Sequence, residues 1–250
     1  MITFFFKPKK IIVDAFIGEK YITAYETVPV DYSHKFYPQW WKNLEKVEFD
    51  FDLRLAKSNS KSCAAIIDFY QKGIILPLWS DFALNVKTGE WDFSDKMSTA
   101  DYHGYFQREG FKEDYQHFKL TSPWLFRSEK NVSFAYVPDF YNQNTPFFEA
   151  PPGIVNYHDM YVTSFNFFVP KYVDNFVMPV GTPLANIIPL SERPIELRRH
   201  LISEPEFHIL NLKKHTRISF ARKHMTIKRL VKEQELKNAK KCPFGFGRKE

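Results

Sequence analysis

The sequence predicts a mainly β (α+β) fold: a sandwich or distorted jelly-roll-like barrel with one internal helix and a basic C-terminal helix. Three observations carry that expectation. Aromatic residues make up 18% of the 250, with 26 Phe against 9 Gly and 5 Met, and aromatic and β-branched side chains suit a pleated, half-buried surface. From FKLTSPWLFR (118–127) to FVMPVGTPLANIIPL (176–190), short apolar runs are cut by Pro, Gly and Asn at strand-plus-turn intervals. Sustained helical spacing is confined to two segments.

IIVDAFI (11–17), GEK and YITAYETV (21–28) read as an opening hairpin that Pro29 ends. DYSHKFYPQWWKNLEK (31–46) has no period of two and carries Asp31 and Ser33 as caps, which predicts a short helix or irregular segment. Its YPQWW cluster (37–41) is expected as a plug under the sheet. SCAAIIDFYQKG (62–73) places Ala65, Ile66, Phe69 and Tyr70 at helical spacing, with Ser62 as N-cap and Gly73 as stop. IILPLW (74–79) follows as a buried strand.

The strongest hairpin signal is DFALNVKTGEWDF (81–93). Phe82, Leu84 and Val86 alternate with polar neighbours, Thr88-Gly89 makes the turn, and Trp91 and Phe93 return on one face. Residues 94–114 are polar and aperiodic, a long loop or flap. NVSFAYVPDFYN, FFEAPPGIVNY and YVTSFNFFVP continue the strand rhythm. ELRRHLI and EFHILNL add edge strands, or the first is a short helix. From His215 to Lys237, Ile218, Ala221, Met225 and Leu230 form an apolar stripe flanked by basic residues, the pattern of a long amphipathic helix.

Charge divides the chain into a β-rich globular domain, 1–210, and a basic helical extension, 211–250. The formal net charge is +6, yet the extension holds 13 Lys/Arg against three Glu, which leaves −4 on the domain. No apolar run is long enough to span a bilayer as a helix. The opening MITFFFKPKK has its apolar block ahead of its basic residues, the reverse of a secretory signal. Two distant cysteines, Cys63 and Cys242, provide neither a disulfide framework nor zinc-type pairing. A cytoplasmic setting is expected. Phosphate loops, dinucleotide fingerprints, nucleophile elbows and His-Glu-x-x-His are absent. Cys63, next to two alanines on a helix, is expected to be a buried small apolar group.

Two candidate metal positions stand out. His158-Asp159 are adjacent, so on a regular strand they point to opposite faces, and a polar turn is the simpler reading. Glu206-x-His208 has same-face strand spacing and, with His158 or His200, would make a facial site for iron or manganese. The extension offers a different chemistry. Arg217, Arg222, Lys223, Lys228, Arg229, Lys240 and Lys241 form a cationic surface suited to an acidic protein or nucleic acid. Phe244 and Phe246 add apolar anchors for docking or self-association.

The ordered segments FYPQWW, CAAIIDFYQKGIILPLWSDFAL, PWLFRSEKNVSFAYVPDF, GIVNYHDMYVTSFNFFVP and PVGTPLANIIPL, within Asp14–Leu210, carry a resemblance. The chain resembles a family of uncharacterised β-rich proteins of tailed bacteriophages, marine ones in particular, and of some bacteria. That resemblance implies a compact β fold and a phage or bacterial cytoplasmic setting, and transfers no functional residue. The expected function is a non-enzymatic binding or assembly protein, phage-encoded, that engages a partner through the extension. A cupin-like metal-dependent oxygenase and a nucleic-acid-binding accessory protein are the alternatives.

Overall fold

The computed structural model describes residues 9–45, 48–50, 52, 54–57, 59–104, 109–142, 148–158 and 160–216. Two five-stranded sheets face one another across a single aromatic core, with a three-stranded sheet packed onto it. The architecture is a sandwich. Neither large sheet closes on itself, so the barrel form of the expectation is not adopted.

The first sheet is built from β1 (Ile11–Gly18), β8 (Thr99–His103), β9 (Tyr115–Ser128), β12 (Val162–Pro170) and β15 (Ile195–Ile202). Along one edge β9 pairs antiparallel with β12; its other edge is shared by β8, over 117–121, and β1, over 125–128. Residues 122–124 fall at the hand-over, and here β9 spends four residues where β12 spends two. Pro123 has no N–H to offer a ladder, which suits a bulge. The Trp124 amide is satisfied locally by Ser122 Oγ at 3.1 Å, while the Trp124 side chain is fully buried.

Parallel pairing of β1 with β15 runs unbroken from Ile11↔Ile195 to Gly18↔Ile202. The alternation of β1 sends Ile11, Val13, Ala15 and Ile17 inward and leaves Asp14 outside. The second sheet has the order β11 (Gly153–Val155), β10 (Phe134–Pro138), β14 (Pro183–Pro189), β5 (Ile74–Pro77), β2 (Asp31–Tyr32). The third is β13 (Asn175–Met178), β6 (Phe82–Asn85), β7 (Trp91–Phe93), and β3 (Glu48–Asp50) pairs with β4 (Leu55–Lys57). Between the layers Phe82, Phe118, Phe148, Phe165, Phe167 and Phe176 meet edge-on or offset, with centroids 5.6–6.0 Å apart.

Several expectations stand as made. The internal helix is α3 (Ala64–Gln71), and IILP is a fully buried strand. The β6–β7 hairpin turns at Gly89, whose φ of 74° is a conformation that glycine adopts without a Cβ clash. Others are corrected. YITAYETV is helical, not a strand: a 3-10 turn leads into α1 (Ile22–Thr27). Tyr21, Ala24, Tyr25 and Val28 lie on one face of it, packed on the core, a helical spacing that outweighs β propensity. YPQWW is not a plug under the sheet. Gln39, Trp40 and Trp41 open α2 (Gln39–Asn43) on the outside, with Trp40 44% exposed and its indole N–H donating to the Tyr141 carbonyl, while Tyr37 packs on the buried Tyr70 ring at 4.6 Å. The polar stretch after Ser94 contributes β8 to the first sheet, so it is not wholly loop. Cys63 is exposed at the N-cap of α3.

The layers are pinned by buried polar contacts. Asn186 on β14 is fully buried; its amide donates to the Phe69 carbonyl, and its Oδ1 accepts from Ser33 Oγ at 2.6 Å. A Cβ on Gly73 would come within 1.9 Å of that same oxygen, so residue 73 has no room for a side chain. Asp139, 1% exposed, accepts from Tyr70 Oη at 2.7 Å and from Asn142 Nδ2 at 2.8 Å, tying α3 to the end of β10. Asn186→Ala strands the Ser33 hydroxyl and the Phe69 carbonyl together, so urea unfolding should show a loss of about 2–3 kcal/mol. Gly73→Ala should cost at least as much.

Candidate partner interface

The cationic extension is anchored by α4 (Glu204–Thr216), which follows β15 after one intervening residue. Ser203, Pro205 and Glu206 form a helix start. Ser203 Oγ donates to Glu206 Oε2 at 2.8 Å, the same carboxylate accepts from the Ser203 amide at 3.2 Å, and the Phe207 amide donates to the Ser203 carbonyl at 2.9 Å. This is one half of the Ser-x-x-Glu capping box, the N3 glutamate reaching back to the N-cap amide, while the serine hydroxyl donates to the same carboxylate; proline sits in the first turn, where a missing N–H costs nothing. EFHILNL is therefore helical and not an edge strand. The Ser-x-x-Glu spacing is the sequence signal that the strand reading overlooks.

Helical geometry also removes the basis of the metal site. At 3.6 residues per turn, positions two apart lie about 200° apart around the axis. Glu206 and His208 thus point to different sides of α4, and Glu206 is committed to the cap. His200 stands elsewhere, on β15. His158 lies in the turn between β11 and β12, where its amide donates to Asn156 Oδ1 at 3.0 Å. The turn reading of this stretch is what the structure displays, with Asn156 supplying the Asx contact; Asp159 lies outside the described residues. Among the described residues, no three His, Cys, Asp or Glu side chains gather as a metal site would need.

The root of α4 is held from two directions. Gly18, at the end of β1, is approached so closely that a Cβ there would lie 2.5 Å from Glu204 Oε1 and 3.3 Å from the Phe207 ring. Glu204 also accepts from the Lys20 amide at 3.1 Å and faces the Lys20 ammonium at 3.5 Å. Next to this root, the outer face of the first sheet carries a charged row across three strands. Asp14 accepts from Arg127 at 3.0 Å and contacts His200 Nε2 at 2.9 Å. Phe16 lies beneath, stacked on the His200 ring at 4.7 Å and under the Arg127 guanidinium at 5.0 Å. Burial opposes ionisation of Asp14, but the contacts with His200 and Arg127 outweigh it and hold the carboxyl below its ordinary value. These three residues are each on a different strand, which is why no spacing in the sequence reveals them.

Arg217, Arg222, Lys223, Lys228, Arg229, Lys240, Lys241, Phe244 and Phe246 lie outside the described residues. No helix among the described residues is long and apolar enough to cross a membrane. The chain matches no known family model, no curated protein and no solved structure, and its function has to be read from its own geometry.

Ser203→Ala should lower stability by about 1 kcal/mol, with a matching loss of helical signal at 222 nm. The Asp14 contribution is present above its unfolded pKa of about 4 and is lost as pH falls through the lower folded value. Unfolding measured from pH 6 to pH 2 should therefore show a drop that Asp14→Asn makes smaller, the remainder coming from other paired carboxylates such as Glu149 and Glu196.

Proposed function

We propose that the protein is a non-enzymatic binding or assembly protein that captures an acidic protein surface, including that of a second copy of itself, through residues 211–250. The observation that supports this is the division of charge: 13 Lys/Arg against three Glu in the extension, on a body that carries −4. Opposite charges on separate parts of one chain favour oriented encounter and speed association. The capping box and the docking at Gly18 fix where α4 leaves the sandwich. A phage or bacterial cytoplasmic setting, as the resemblance implies, belongs to the same reading.

The test compares the full chain with a charge-reversed form, Arg222→Glu, Lys223→Glu, Lys228→Glu and Arg229→Glu, on poly-glutamate and on duplex DNA of equal charge. The wild type should hold poly-glutamate with an affinity that falls at least tenfold from 50 to 300 mM salt. The reversed form should not bind. Equal binding by both forms overturns the proposal. A tenfold preference for DNA replaces it with the nucleic-acid reading.

A further inference from the structure

A cavity of about 350 Å³ lies between the edge strands of the two large sheets. Pro151, Pro152, Gly153 and Val155 line one side, at β11, and Val162, Thr163, Ser164 and Asn166 the other, at β12. Tyr136, Tyr157, Met160 and Lys119 complete the lining. The volume is that of a small-molecule site, and the walls are mostly apolar.

Three of the lining residues carry hydroxyls that are buried and have no hydrogen-bond partner among the described residues: Tyr136, Tyr157 and Thr163. They are 7%, 0% and 2% exposed. A buried hydroxyl left unpaired is costly, and native structures hold few such groups. Three around one cavity therefore call for an explanation.

The hydroxyls are also near one another. Burial raises both tyrosines well above the ordinary phenol value. The neighbouring Tyr157 adds to the rise of Tyr136, while the Thr163 hydroxyl partly offsets that of Tyr157. Tyr157 and Thr163 nevertheless do not join in a hydrogen bond of normal geometry. Thr163 stands opposite the β9 bulge, where the ladder register breaks between Val162 and Ser164. Bulges of this kind re-aim side chains beside binding sites.

We propose that this cavity binds a compact, uncharged apolar molecule bearing a carbonyl or hydroxyl oxygen, held by hydrogen bonds from Tyr136, Tyr157 and Thr163. An uncharged ligand is specified because the tyrosines remain protonated and supply donors, not charge. The cationic lining residue, Lys119, is already paired with Asp101 at 3.2 Å. A buried ion would lack a free countercharge there. Each of the three oxygens exposes less than 1 Å², so their side chains turn toward the cavity when the ligand oxygen enters.

The experiment titrates the full chain with acetophenone, ethylbenzene and benzoate, followed by calorimetry and by NMR. Acetophenone should bind at least fivefold more tightly than ethylbenzene, and benzoate should bind weakest. Tyr157→Phe and Thr163→Val should each weaken acetophenone about fivefold and leave ethylbenzene unchanged. Without ligand, both variants should melt no lower than the wild type, because each removes an unpaired hydroxyl. Equal binding of acetophenone and ethylbenzene to the wild type overturns the proposal without recourse to any variant. So does absence of binding at millimolar probe, a preference for benzoate, or a clear fall in melting temperature for both variants.

Discussion

Strand β9 is the constraint on which the larger sheet depends. It is the longest strand among the described residues, and β12, β8 and β1 all hydrogen-bond to it. One edge has to serve two partners in succession, and a regular ladder would leave no break for the change. Ser122-Pro123-Trp124 provides that break. Proline withholds a donor, the serine side chain satisfies the next amide, and the tryptophan enters the core. The irregularity that lets β8 give way to β1 is also the one that faces Thr163 across the sheet. A requirement of sheet assembly and a binding cavity thus share a cause.

The interior follows a second rule, imposed by size. Rings as large as those of Phe118, Phe165 and Phe167 cannot interdigitate at arbitrary spacing, so they adopt stacked and edge-on arrangements that lock the facing layers. Polar groups in this interior are few and mostly paired, as Asn186 and Asp139 show. Against that background the unpaired hydroxyls of Tyr136, Tyr157 and Thr163 are exceptions, as is the Trp124 indole N–H, and what sets the hydroxyls apart is that all three lie around one cavity.

The strand rhythm, the Thr88-Gly89 hairpin and the α3 helix were legible because each is encoded by neighbours within about a dozen residues. Tyr21 to Val28 misleads, since Tyr, Ile, Thr and Val suggest a strand by type while Tyr21, Ala24, Tyr25 and Val28, three and four apart, describe a helix face. Glu206 and His208 mislead for the opposite reason: their spacing suggests a strand, although Ser203 and Glu206 encode a cap. The cluster of Asp14, Arg127 and His200, and the hydroxyls of Tyr136, Tyr157 and Thr163, were not legible at all. They depend on cross-sheet register, which only the assembled ladders define.

The parallel union of β1 with β15 has a bearing on how the molecule comes into being. β1 is made before every other strand of its sheet, and β15 after all of them. Emerging chain must carry an unpaired apolar edge, rich in Ile and Val, while everything between is synthesised. Such far-separated pairings form late and slowly. An incomplete chain would present that edge to whatever strand lies nearby, which is a route to mispairing between nascent copies.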